Sequence, residues 1–232
     1  MIEDFCVGNQ GVQLHCLRHQ ADDSSLMPIV FVPGRLGSAE SYQSEMEHFA
    51  ERSSLAISLR GRGQSDVPKQ GYTFADHVAD LEAAIAAVGW DRFYLWGYSV
   101  GVSFAVGYTL QNLDKVAGLI LGDWKPIYRK ITPQWVDGVL HYQPDYDAEM
   151  LRAMQADSAD VDMWDALAKI KCPVLVMKGG AEGSGLSMDD LARYHEMLDD
   201  VETVIFPDAG HELWQPTSDL YYQAMGDFLK KG

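Results

Sequence analysis

The sequence predicts an α/β fold, with a mostly parallel sheet covered by helices on both faces. Three observations lead there. Short apolar runs of strand type alternate with stretches whose apolar residues recur at helical spacing, the pattern of β-α-β units. A serine flanked by glycines, Gly97-Tyr98-Ser99-Val100-Gly101, lies between one such run and a helix. The length of 232 residues and the hydrophobic content of 47% are enough for a single large core.

The elements follow in order. Residues 2–18 form a hairpin with its turn at Gly8-Asn9-Gln10-Gly11, and a two-residue loop at Asn9-Gln10 would pair Cys6 with Gln13. A polar turn over 22–25 precedes an apolar strand at 29–32. Residues 41–52 read as a helix with Tyr42, Met46 and Phe49 on one face. A short buried strand at 55–57 leads to a second helix over 73–88. Thr73 and Asp76 have the spacing of a capping box there, and Val78, Leu81, Ile85 and Val88 form the apolar stripe. Residues 92–96 are a strand and 102–110 a helix. Further strands lie at 116–121, 174–177 and 201–206, and a closing helix runs through Phe228. No internal repeat interrupts this order.

Composition removes several function classes. Thirty-four acidic residues against 18 basic ones leave a net charge of -16, which repels nucleic acid and anionic membranes. No apolar run approaches the ~18 residues of a membrane span. The start Met1-Ile2-Glu3-Asp4 lacks the basic and apolar regions of a signal peptide, so a cytoplasmic location is expected. Cys6, Cys16 and Cys172 do not make a disulfide framework and are expected as buried free thiols. No Cys/His cluster has zinc spacing, so no metal and no cofactor are expected. The expected partner is a small-molecule substrate. The acidic surface carries no signature of an oligomeric state.

The glycine-flanked serine is the most specific chemical signal. A serine on a sharp strand-to-helix turn has a strained backbone that lifts its Oγ clear of the sheet, and a Cβ on either flanking glycine would collide across the turn. Its hydroxyl is a weak nucleophile at neutral pH and needs a base. Of the seven histidines, His15 and His19 lie in or near the hairpin, His48, His77 and His195 on helices, and His141 in a long connection. His211 alone follows a strand end in a loop.

Other segments strengthen the reading in combination. Val30-Phe31-Val32-Pro33-Gly34-Arg35, Leu59-Arg60-Gly61-Arg62-Gly63-Gln64-Ser65-Asp66 and Phe206-Pro207-Asp208-Ala209-Gly210-His211 occur in this order around the serine. Together with the Ser99 turn they resemble the α/β-hydrolase family over nearly the whole chain. The departures are Pro33-Gly34 where most relatives have His-Gly, and Ser58 where the second motif has a leading Asp. The resemblance implies an α/β-hydrolase fold with Ser99 as nucleophile and His211 as base. It implies an oxyanion hole from the N–H groups of Arg35 and Val100, with Gly34, Tyr98 and Trp124 beside the substrate. Arg60 and Arg62 are expected to brace the loop around Ser65 and Asp66. The Arg35 side chain would be able to reach a carboxylate or phosphate on the substrate, or to serve only as a solvent-exposed or cap-paired arginine.

The family's acid falls between Ser99 and His211, and two residues fit. Glu182, in Gly179-Gly180-Ala181-Glu182-Gly183-Ser184, stands where many relatives carry it. Asp123, directly after the strand at 116–121, is preferred because a strand end is rigid and the glycine-rich loop is not.

About fifty residues separate Leu121 from Pro173, well beyond an ordinary connection. The resemblance makes residues 124–172 a cap on a core of 1–123 and 173–232, within one domain. Of Trp124, Tyr128, Trp135, Tyr142, Tyr146 and Trp164, most are expected to pack the cap onto the body and one or two to face substrate. The activity implied is acyl transfer on a small carboxylic ester, lactone or thioester. The same fold also hosts C–C hydrolases, lyases and non-catalytic small-molecule receptors.

Overall fold

The computed structural model describes residues 1–22 and 25–230, so the polar turn expected at 22–25 falls partly outside them. Among these residues, ten strands and seven α-helices follow one another. They are β1 (Ile2–Asn9), β2 (Val12–His19), β3 (Ile29–Val32), α1 (Gln43–His48), β4 (Ser54–Ile57), α2 (Phe74–Val88), β5 (Phe93–Tyr98), α3 (Gly101–Gln111), β6 (Val116–Gly122), β7 (Ile127–Tyr128), α4 (Pro133–Tyr142), α5 (Ala148–Asp157), β8 (Val161–Asp162), β9 (Val174–Gly179), α6 (Met188–Met197), β10 (Val201–Phe206) and α7 (Asp219–Leu229).

Eight strands form one sheet in the order β1-β2-β4-β3-β5-β6-β9-β10, and β7 and β8 form a separate ribbon. Every pair from β4 to β10 is parallel, while β1 and β2 add an antiparallel edge. The parallel strands are apolar on both faces because helices cover both. Successive side chains therefore enter different cores. Val30, Val32, Leu95, Leu119, Leu121, Val174 and Val176 pack on the face of α2, α3 and α6. Ile29, Phe31, Tyr94, Trp96, Ile120, Leu175 and Met177 pack on the face of α1 and α7. No helix among the described residues is long and apolar enough to cross a membrane.

Three sequence expectations need adjustment. The hairpin turns at Gln10-Gly11, with φ of 51° and 83°, and pairs Cys6 with His15. A two-residue turn with both φ positive follows the right-handed twist of the strands, and the glycine belongs at its second position. The first helix is shorter than 41–52, because a 3-10 turn (Ala39–Tyr42) leads into α1. Cys6 is exposed on the edge strand, whereas Cys16 is buried and Cys172 is partly so; all three are free.

The segment 124–172 folds as the β7–β8 ribbon, α4, α5 and a short 3-10 turn (Asp165–Lys169). It has its own apolar cluster, in which Ile131, Val136, Met150, Leu151 and Met154 pack around Tyr72 of the body. Asp157 ties it down by accepting from the Gly71 and Tyr72 amides at 2.7 and 2.9 Å.

Candidate active site

The loops at the carboxyl ends of β3, β5, β6, β9 and β10 converge on Ser99. Its φ of 53° lies in the left-handed region, the strained turn expected between strand and helix. The flanking glycines are demanded by packing. A Cβ on Gly101 would lie 2.5 Å from the carbonyl oxygens of Val32 and Pro33, and one on Gly97 2.7 Å from that of Gly101. The Ser99 amide donates to Gly122 O at 2.9 Å, which links the serine turn to the end of β6.

Asp123 follows directly, also with a positive φ of 49°. Its side chain is completely buried yet well solvated by protein. Oδ1 accepts from the Gly179 amide at 3.0 Å and the Ser184 hydroxyl at 2.7 Å. Oδ2 accepts from the Gly185 amide at 2.6 Å and lies 2.8 Å from His211 Nδ1. His211 Nε2 in turn lies 2.9 Å from Ser99 Oγ. Since Asp123 already receives three protein donors, Nδ1 carries a proton toward it, which leaves Nε2 of neutral His211 as an acceptor for the serine hydroxyl.

Two aromatic rings neighbour His211. The ring of Tyr98 stacks on His211 at 5.0 Å between centroids, and its hydroxyl donates to the His211 carbonyl at 3.0 Å. The Trp124 ring lies tilted toward that of His211, at 5.9 Å between centroids. Glu182, the alternative acid, is solvent-exposed, and it is Asp123 that meets Nδ1. The loop bearing Glu182 contributes differently, through Ser184 and Gly185.

Val100 caps the N-terminus of α3, so the positive end of the helix lies beside Ser99. A Cβ on Gly34 would stand 3.2 Å from Ser99 Cβ, which places the Gly34-Arg35 backbone against the serine. The Arg35 guanidinium lies over the rings of Tyr128 and Trp135, at 5.4 and 5.3 Å, and makes no ion pair among the described residues. Burial lowers its pKa from the ordinary value, with Tyr128 opposing the shift, and the group stays cationic at neutral pH.

Its neighbours are used structurally. Arg60 binds Asp80 through Nε and Nη2 at 2.8 and 2.7 Å. Arg62 donates to Arg35 O, Arg60 O and His77 Nε2. Burial, then Arg62, pushes the pKa of His77 well below its ordinary value, in keeping with a neutral ring that accepts from Arg62 and donates from Nδ1 to Thr73 O.

Two openings reach Ser99. One, of about 430 Å³, is lined by Arg35, Val100, Trp124, Trp135 and His211 among others. The second, of about 480 Å³, includes Gly34, Arg35, Tyr98 and Trp214. Of the six aromatics in 124–172, Trp124 and Trp135 face these openings. Tyr128 and Trp164 are buried in the body, and Tyr142 is exposed. Sequence reasoning missed Ser184 and Glu45, which lines the second opening. Glu45 was detectable as an acid on the stripe of Tyr42, Met46 and Phe49.

Comparison with known proteins agrees with this architecture. A family model described as alpha/beta hydrolase fold matches residues 27–163. An N-formylmaleamate deformylase of Pseudomonas putida is 25% identical over 96% of this chain and 95% of its own. An esterase from Exiguobacterium antarcticum superposes with a TM-score of 0.83 at 17% identity, over 99% of this chain and 100% of its own. An N-formylmaleamic acid deformylase from Pseudomonas putida S16 superposes with a TM-score of 0.75 at 16% identity, over 97% and 100%. With the matched segment covering more than half of its length, the chain belongs to the α/β-hydrolase family and is an α/β-hydrolase enzyme.

Proposed function

We propose that the protein hydrolyses a small acyl compound bearing a carboxylate, by acyl transfer through Ser99, His211 and Asp123. The observation that carries this is the unbroken contact chain from Ser99 Oγ through both ring nitrogens of His211 to Asp123, at 2.9 and 2.8 Å. Ser99 Oγ attacks the substrate carbonyl while its proton passes to His211 Nε2. Buried Asp123 keeps the ring oriented and stabilises the imidazolium that forms. The Arg35 and Val100 N–H groups hold the oxyanion, at the positive end of α3. His211 gives its proton to the leaving group, and water then releases the acyl group from Ser99 by the same steps in reverse.

Arg35 supports an anionic substrate. It is a cation in the wall of the opening at Ser99, with no carboxylate partner among the described residues. The name of the P. putida relative, a deformylase of N-formylmaleamate, points the same way and adds acyl amides to esters, lactones and thioesters as substrates.

Two measurements test the reading. Ser99→Ala is expected to remove turnover of short activated esters by on the order of 10⁴-fold or more in kcat and to abolish labelling by a serine-directed phosphonate. A variant that keeps a tenth of the activity overturns the nucleophile. Arg35→Ala retains its N–H but is expected to lose about 1–3 kcal/mol in kcat/KM on anionic esters, with a smaller loss on neutral isosteres. Equal losses on both would remove the carboxylate from the substrate description.

A further inference from the structure

The two openings at Ser99 differ in charge. The first has Arg35, Arg129 and Lys130 in its walls and no acidic side chain. The second contains Glu45 and Glu212, and its walls include the rings of Tyr42, Tyr98, Trp135 and Trp214. Arg35 borders both, but its guanidinium lies over Tyr128 and Trp135, on the side of residues 124–172.

Glu45 is the unusual member. It projects from α1 and is only 6% exposed. Its Oε1 accepts from the Tyr221 hydroxyl at 3.1 Å. Burial raises its pKa, opposed by its own backbone amide and Tyr221, and no cation contributes. A carboxyl taken out of water without a cationic partner is destabilising. Here it borders an open groove whose lining includes the aromatic side chains of Tyr42, Tyr98, Trp135 and Trp214. Aromatic faces around a carboxylate are the combination that binds an ammonium group, through the ring quadrupoles and a charge-assisted hydrogen bond.

We propose that the groove from Ser99 toward Trp214 is a subsite for a primary ammonium group on the substrate, with Glu45 as its acceptor. Together with Arg35 it makes the preferred substrate dipolar, with its anionic end on the Arg35 side of the reacting carbonyl and its amine on the Glu45 side. The inference rests on Ser99 as the reacting centre.

The test titrates n-butylammonium and n-butanol against the tryptophan fluorescence of the whole protein. Salt is kept high enough to screen the net charge of -16. The expected result is saturable quenching with a clear preference for the ammonium. Glu45→Gln, which can still accept from Tyr221, is expected to weaken ammonium binding by about tenfold, the scale of one charge-assisted contact. Should that variant fail to fold, competition in the wild type decides, with butylammonium raising the KM of a neutral ester and butanol not doing so. Equal binding of both probes, or a preference that survives Glu45→Gln, overturns the subsite. The same titration on Ser99→Ala separates the two readings. In that variant, turnover that persists beside an intact ammonium preference removes the hydrolytic mechanism alone, and lost turnover without the preference removes the subsite alone.

Discussion

The loop after β6 and the loop after β9 each present a carboxylate at the carboxyl end of the sheet, and the structure treats them in opposite ways. Asp123 is wholly buried and receives Gly179 N–H, Ser184 O–H and Gly185 N–H besides facing His211. Glu182 is left in solvent. The longer, glycine-rich loop does not bring its own carboxylate to His211; it supplies two of the donors that hold the Asp123 carboxylate there. A buried charge persists only where hydrogen-bond donors replace its water, so the donors decide which carboxylate is retained inside.

The sharpest way to break this contrast is Asp123→Asn. Neutralising the buried partner leaves His211 without its orienting charge, and kcat is expected to fall by on the order of 10³–10⁴-fold with KM nearly unchanged. Steady-state kinetics on an activated ester check this, and a loss below tenfold would return the role to another group. Ser184→Ala strikes the donor instead of the acid. One of two contacts to Oδ1 disappears while Gly179 N–H remains, so a decrease of about tenfold in kcat is expected, with stability measured by thermal unfolding lowered by about 1–3 kcal/mol. Ser184→Thr, which keeps the hydroxyl, is expected to recover most of the kcat. A general loss of folding without a kcat–KM split would make Ser184 structural only. Glu182→Gln is the smallest, under about threefold in either parameter, because an exposed charge is screened by water. A large kcat effect there would invert the comparison.

Much of this arrangement is legible in the sequence where packing leaves no alternative. Gly97 and Gly101 flank Ser99 because backbone carbonyls crowd both positions, so the motif carries its own geometry. The alternation of Val30, Phe31 and Val32 between two cores follows from the two-residue strand period. The choice between Asp123 and Glu182 is less legible. Both follow strand ends, and what separates them is a left-handed φ at 123 and three donors, two of them fully 60 residues further along the chain. Ser184 looks like any polar loop residue until that partner is present. The hairpin register shifted for a similar local reason, since Gly8-Asn9-Gln10-Gly11 offers two overlapping turns and the strand twist selects the one ending in glycine.

The segment 124–172 leaves and rejoins the sheet at neighbouring strands. β6 and β9 are paired in register, with Leu119 opposite Val174 and Gly122 opposite Met177. Whatever lies between those strands begins and ends a single strand spacing apart, held there by backbone hydrogen bonds that do not depend on the inserted sequence. The paired ends of β6 and β9 are thus a socket in the scaffold for the segment between them. Ser99, His211 and Asp123 all stand on the body side of it, so exchange of the segment between relatives would reshape what the cleft accepts without resetting the register that aligns those three residues.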